Sequence, residues 1–250
     1  MTDIGPGSHS EVETHLGIKV QRSVRQTPIM RLTAERMRAS HSESAPFTVF
    51  GDCAAGALVR AHAALAARVA APKVTYSHLL IRIVGQALLR HPELNAALVD
   101  ETVKFYGEVN IGVAVAVSQG NLVVPVVRGV DALTVDEIAE RTSELVARAR
   151  AGSIRPEDMR GGTFTLSNVG MFPAVVAATP LLNLPQTGIL AIGALQFRPV
   201  ARNGGVENHP YLGLGLTVDH RAVNGFQACR LVQTMADLIA NPDACLAAPG

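Results

Sequence analysis

Apolar residues recur along the chain with two periods, and the switches between them mark its elements. From Thr27 the spacing predicts a helix: Thr27 is a capping residue type, Pro28 suits the first helical position, and good helix formers run to Arg38. Residues 47–53 have strand content. Residues 54–70 carry Leu58, Leu65 and Val69 at helical spacing and are stopped by Pro72; residues 77–90 place Leu80, Ile83, Val84, Ala87 and Leu88 on one stripe that ends at His91-Pro92. Short strands follow at 94–99 and 103–106. Residues 109–117 and 122–127, joined by a Gln119-Gly120-Asn121 turn, read as a hairpin whose near-continuous hydrophobicity implies burial on both faces. Thr134 and Glu137 make a capping box that opens a helix to Ala151, closed by Gly152, with Arg148 and Arg150 in its last turn. A strand at 163–169 leads into a loop to Pro185 that is long enough to be functional. Strands at 188–195 and 197–201, a turn at Asn203-Gly204-Gly205, the apolar run 211–216 and a helical pattern at 226–240 complete the series. Helices that are grouped rather than strictly alternating with strands, and antiparallel hairpins, make this a layered α+β chain.

Composition narrows the picture further. With 250 residues and 48% hydrophobic content the chain can bury one large core, so one domain is expected over 20–242. Residues 1–19, rich in Gly, Ser, His and charge, read as a flexible arm or an expression remnant, and 243–250 as a tail or linker stub. A net charge of +1 without any basic run gives no electrostatic argument for nucleic acid. Cys53, Cys229 and Cys245 fall at unrelated spacings without a metal-type pairing, which fits a reduced, cytoplasmic setting and no metal. With no charged-then-apolar leader and no apolar run of ~18 residues, neither secretion nor membrane spanning is expected.

Candidate chemistry concentrates near the C-terminus, in Thr217-Val-Asp-His-Arg-Ala-Val-Asn-Gly225. A histidine where a strand ends, with an amide four residues later and a glycine after it, is held by fixed backbone on both sides and suits a general base. A lone histidine is more often structural, and His41, His62, His78 and His91 are read as solvated or capping. The pattern Asp-His-Arg-x-x-Asn-Gly changes that reading when it is joined to Thr163-Phe-Thr-Leu-Ser-Asn-Val-Gly170. With Arg31-Leu-Thr-Ala-Glu-Arg-Met37, Asn110-Ile-Gly-Val-Ala-Val-Ala, Leu122-Val-Val-Pro-Val-Val and Asn183-Leu-Pro-Gln-Thr-Gly-Ile-Leu-Ala-Ile-Gly193, the chain resembles, from about Val20 to Ala240, the catalytic domain of the 2-oxo acid dehydrogenase acyltransferases (E2, dihydrolipoamide acyltransferase). More remotely it is similar to chloramphenicol acetyltransferase.

The resemblance implies a two-layer sandwich of mixed sheet and helices. It also implies a homotrimer, alone or within a larger assembly, whose active sites lie in channels between subunits. The reaction is transfer of a small acyl group between a dihydrolipoyl thioester and the pantetheine thiol of CoA. A thiol of pKa ~8.5 is only a few per cent ionised near neutrality, and an imidazole of pKa ~6.5 can take its proton during attack. The resemblance gives that role to His220 and gives Ser167 the oxyanion-donor role. Asn224 stands where relatives have Asp or Asn and is expected to orient groups around the base; as a turn residue before Gly225 it has nearly equal weight. Asp219 and Arg221 read as structural support, and Gly225 as backbone freedom at the helix start. Phe172, Val175, Val176, Leu181 and Leu182 are expected to line an apolar acyl pocket, better suited to an uncharged group than to succinyl. The chain shows no lipoyl region, so the lipoyl arm is expected from another domain or protein. Three alternatives stay open: transfer onto the phosphopantetheine of an acyl carrier protein, a chloramphenicol-type hydroxyl acceptor, and a non-catalytic trimeric core or docking protein.

Overall fold

A computed structural model describes residues 13–68, 72–117, 121–202 and 204–246. The expected N-terminal arm contributes a small exposed hairpin, β1 (Thr14–His15) with β2 (Ile18–Lys19), and its first twelve residues lie outside the described part. Thr27 accepts a hydrogen bond from Met30 N at 3.2 Å and starts α1 (Pro28–Glu43), which runs past the expected end at Arg38 to Glu43. Next come β3 (Pro46–Ala54), α2 (Gly56–Ala66) and α3 (Tyr76–Arg90). At the start of α3, the buried His78 closes a capping box by accepting from Thr75 N through Nδ1 at 3.2 Å. Burial pushes its pKa down, which keeps that nitrogen an acceptor.

After α3 the chain forms the pair β4 (Ala96–Val99) and β5 (Thr102–Phe105), then β6 (Ile111–Val113), β7 (Val115–Ala116), β8 (Leu122–Val123) and β9 (Val126–Val127). The predicted hairpin is present as two separate pairs, β6 with β9 and β7 with β8. Burial on both faces holds only at its base. Ile111 and Val127 are buried, whereas Ala116 and Leu122 at the outer end are exposed. Of its predicted turn, 119 and 120 lie outside the described residues. The capping box of Thr134 and Glu137 opens α4 (Val135–Arg150) as predicted.

The remaining strands are β10 (Phe164–Asn168), β11 (Gly188–Arg202) and β12 (Gly205–Asp219), followed by α5 (Gly225–Ala240) and α6 (Asp243–Leu246). Two expected strands at 188–195 and 197–201 are one strand, β11, with a register shift between Ile192 and Leu195. Part of the expected tail is α6, whose Cys245 is buried and whose carbonyl accepts from Arg82 Nε at 2.9 Å. A six-stranded sheet runs β3-β12-β11-β10-β6-β9, parallel only at β11/β10 and β10/β6. Side chains alternate across it. One face, with Leu212, Leu214, Leu216 and Val218 of β12 and Leu166, Leu190 and Ile192 beside them, joins the core built with α3, α4 and α5. This is a two-layer α+β sandwich. The other face carries Gly213, Gly215 and Thr217 of β12.

Candidate active site

His220 follows the last residue of β12, and its place is fixed from three directions. Its N–H donates to Ala45 O at 2.8 Å, and Asp219 N donates to Thr187 O at 3.0 Å. The Asp219 carbonyl accepts from both Ala222 N and Val223 N at 2.9 Å, which folds the turn. Arg221 clamps the Asp219 carboxylate with two parallel bonds, Nε to Oδ1 at 2.9 Å and Nη2 to Oδ2 at 2.6 Å, while Ala45 N adds a third donor. The imidazole stands edge-on to the Phe47 ring, centroids 5.2 Å apart, and is exposed. Neither ring nitrogen has a partner among the described residues. A ring so placed is open to a bound molecule.

Asp219 is 1% exposed. Burial pushes its carboxyl pKa up, but Arg221 and the N–H groups of Ala45 and Arg221 outweigh that, and the net shift is downward. A carboxyl whose folded pKa lies below its unfolded value of ~3.9 stabilises the fold fully above that value. The contribution is lost as the pH falls through the lower, folded pKa. Asp219→Asn is therefore expected to cost about 1–3 kcal/mol at pH 7, with the gap to wild type closing below about pH 4. Thermal melts from pH 7 to pH 3 measure it; a gap independent of pH would show that the charge does not hold the turn.

Asn224 is the N-cap of α5. Its Oδ1 accepts from Gln227 N at 3.0 Å and Gln227 Oε1 accepts from Asn224 N at 2.9 Å, so this side chain starts the helix and leaves its amide N–H groups for other partners. Gly225 follows within the first turn. A Cβ there would lie 3.2 Å from the Phe47 ring, tight enough that the ring would have to give by a few tenths of an ångström, and at an ordinary 4.0 Å from His220 Nε2.

Ser167 lies near the end of β10, paired with Ala191. The loop after it crosses the outer sheet face, and three glycines let it lie flat. A Cβ on Gly193 or Gly213 would meet Val176 O at 2.0 or 1.9 Å, and one on Gly215 would meet Ala178 O at 2.1 Å. Ala194 N donates to Val175 O at 2.8 Å, anchoring the loop where β11 changes register. Sequence reasoning missed this floor, although the alternation of Gly213 and Gly215 in an apolar strand is its visible trace. On the loop Phe172, Val176 and Leu181 are exposed and Val175 is half-buried. Leu182 departs from the expected pocket: at 1% exposure it is packed into the interior, because the chain has by then turned back towards β11.

The two principal candidates do not meet within one chain. Ser167 is level with Ala191, and Ala191 with Gly215, while His220 lies five residues further along β12. At ~3.3 Å per residue this is ~16 Å along the strand, with two interstrand steps of ~4.8 Å sideways. No single carbonyl can lie within ~3 Å of both.

Beside the end of β10 is a cavity of about 250 Å³, lined among others by Tyr76, Ser77, Asn168, Gly170 and Gly193. It shares Thr75 and Tyr76 with a second cavity of about 510 Å³ that is rimmed by His62, Arg68 and Lys73. His62 stacks on Tyr76 at 4.0 Å, and Arg68 is paired with Asp136 at 2.5 Å. Among the described residues no group of three or more His, Cys, Asp or Glu side chains is arranged to hold a metal. No helix of the described residues is long and apolar enough to cross a membrane.

Comparison with known proteins gives this geometry a context. The succinyltransferase component of the 2-oxoglutarate dehydrogenase complex of Azotobacter vinelandii is 33% identical over 230 residues, covering 90% of this chain and 57% of that protein. The chain thus spans little more than half the length of that relative. The solved structure of dihydrolipoamide acetyltransferase (E2p) from the same organism was studied for the roles of one serine, one histidine and one asparagine in its catalytic mechanism. It aligns with a TM-score of 0.85 at 26% identity, covering 99% of this chain and 100% of that one. Chloramphenicol acetyltransferase shares the fold, with a TM-score of 0.52 at 14% identity over 82% of this chain and 94% of that one. The profile of the family described as 2-oxoacid dehydrogenases acyltransferase (catalytic domain) matches residues 19–247, and the chain belongs to that family.

Proposed function

We propose that this protein moves a small, uncharged acyl group between a dihydrolipoyl thioester presented by another domain or protein and the pantetheine thiol of CoA. The observation that carries this reading is the locked turn that presents an unpartnered imidazole at His220, four residues before Asn224. The histidine and asparagine studied in the Azotobacter acetyltransferase are also four residues apart. In the forward step His220 takes the proton of the attacking thiol, and the thiolate adds to the thioester carbonyl. Ser167 donates its O–H to the resulting oxyanion. As the tetrahedral intermediate collapses, the imidazolium returns its proton to the leaving thiolate. No bond to the enzyme forms.

Because one chain separates His220 from Ser167, the site is shared: His220 of one copy faces Ser167 of the next, in a homotrimer. The exposed Phe50, Phe172, Val176 and Phe197 supply apolar surface for such contacts. Arg68 and Lys73 around the wider cavity supply cations for the phosphates of CoA. A second reading, with a carrier protein as acceptor, is favoured by a different surface. On α1 the apolar Ile29 and Leu32 are exposed beside Arg31, Arg36 and Arg38, a combination that suits an acidic helix.

The acyl assignment rests on charge. Residues 161–197, which include β10, the loop and Gly193 of the floor beneath it, contain no Asp, Glu, Lys, Arg or His. A succinyl carboxylate held there would lack an ionic partner. The test is transfer from acetyl- and succinyl-dihydrolipoyl donors to CoA or to a phosphopantetheinylated carrier protein, followed by intact mass spectrometry. Acetyl transfer to CoA is expected to exceed succinyl transfer by about tenfold or more. Equal rates would overturn the acyl assignment, preferential loading of the carrier would change the acceptor, and transfer only to a hydroxyl compound would overturn thiol exchange.

A further inference from the structure

Ser167 stands where β10 loses half of its support. On the β6 side the strand is paired only as far as Leu166, whose carbonyl accepts from Ala114 N at 2.9 Å; on the β11 side pairing continues through Asn168. A strand residue with one neighbour is less constrained than one with two, and an oxyanion donor needs its direction fixed. The side chain of Asn168, the next residue, is held at both ends. Its Nδ2 donates to Ser77 Oγ at 2.8 Å, at the N-terminal end of α3, and its Oδ1 accepts from Gly170 N at 2.8 Å. Gly170 can close this turn because it has no side chain: a Cβ there would lie 2.5 Å from Gly193 O. One amide thus ties the end of β10 to the helix layer on one side and to the start of the loop on the other.

We propose that Asn168 is a positioning residue for Ser167, a side-chain tether to α3 that takes the place of the missing strand partner. The inference rests on the reading of Ser167 as the oxyanion donor. Asn168→Ala removes both bonds and is expected to lower kcat about 10- to 100-fold, with the KM for CoA within about twofold. Asn168→Asp keeps the acceptor for Gly170 N and lets Ser77 donate its hydroxyl instead, at a helix N-terminus that favours a negative charge. It is expected to restore most of kcat, and Ser77→Ala is expected to abolish that rescue.

The deciding measurement is kcat in the Ser167→Ala background, with thermal melts to verify folding. Asn168→Ala should add no further loss there, because its effect passes through the hydroxyl already removed. If Asn168→Ala does not fold, Ser77→Ala cuts the same tether from the helix side and is read in the same two backgrounds. A loss that multiplies with that of Ser167→Ala, or an unchanged kcat, would overturn the proposal while leaving the function intact. If Ser167→Ala itself leaves kcat unchanged, the oxyanion reading falls and this inference falls with it.

Discussion

His220→Ala is expected to lower kcat by about 10²–10⁴-fold, the range typical of a positioned general base, with little change in thermal stability. The first half of the expectation follows from chemistry: without the imidazole, the thiol must lose its proton to water during attack. The second half follows from the way the turn is held. His220 contributes its backbone N–H to Ala45 O, which the substitution keeps, and its exposed ring touches the edge of Phe47. The Asp219 and Arg221 clamp and the paired carbonyl bonds of Asp219 remain. His220→Gln, which keeps a polar side chain of similar reach but not the basicity, should be nearly as inactive. Steady-state rates at saturating acceptor, read beside thermal melts, decide the matter. Turnover within tenfold of wild type would remove the base from His220, and a collapsed melting transition would make the loss uninformative about catalysis.

Mixing two inactive chains should restore activity. If each site takes its base from one copy and its oxyanion donor from the next, His220→Ala and Ser167→Ala chains complement each other wherever they meet in the right order. Co-refolded in equal amounts into random trimers, a quarter of the sites receive an intact histidine and an intact serine. The activity expected is therefore about a quarter of wild type, far above the sum of the two variants. The same chains folded separately and mixed afterwards should stay inactive until subunits exchange. If co-refolded mixtures never exceed the separate variants, the two residues do not cooperate across an interface. Ser167 would then need another partner within its own chain.

Local signals were legible in the sequence because they depend on a few neighbours. Thr27 before Pro28, and Thr134 three residues before Glu137, announce helix starts through bonds formed inside a single turn, and both are made. The strand-end position of His220 was equally readable from the apolar run before it. What escaped depends on which strands lie side by side. The distance between Ser167 and His220 is set by the order β10-β11-β12 and its register, which no motif spacing encodes. Leu182 looked like a pocket wall because it is apolar within an apolar loop, and only the path of the chain shows that it packs inward. The double role of Asn224, motif residue and helix cap, was open because Asn suits both. The bond between Asn168 and Ser77 joins residues ninety-one positions apart, beyond any local pattern.

The loop that crosses the sheet on Gly193, Gly213 and Gly215 is gripped by its main chain. Its carbonyls rest on bare α-carbons, while Phe172 and Val176 point their bulk away from that contact. Grip and selectivity are therefore written in different atoms. The exposed side chains of this segment, Phe172 and Val176 among them, make no part of the bed on which it lies. A single methyl group added to the bed would collide with the main chain of the strap and force it to move. On this surface the exposed side chains of the crossing strap are the positions open to variation, and the three glycines beneath it are the ones to leave alone.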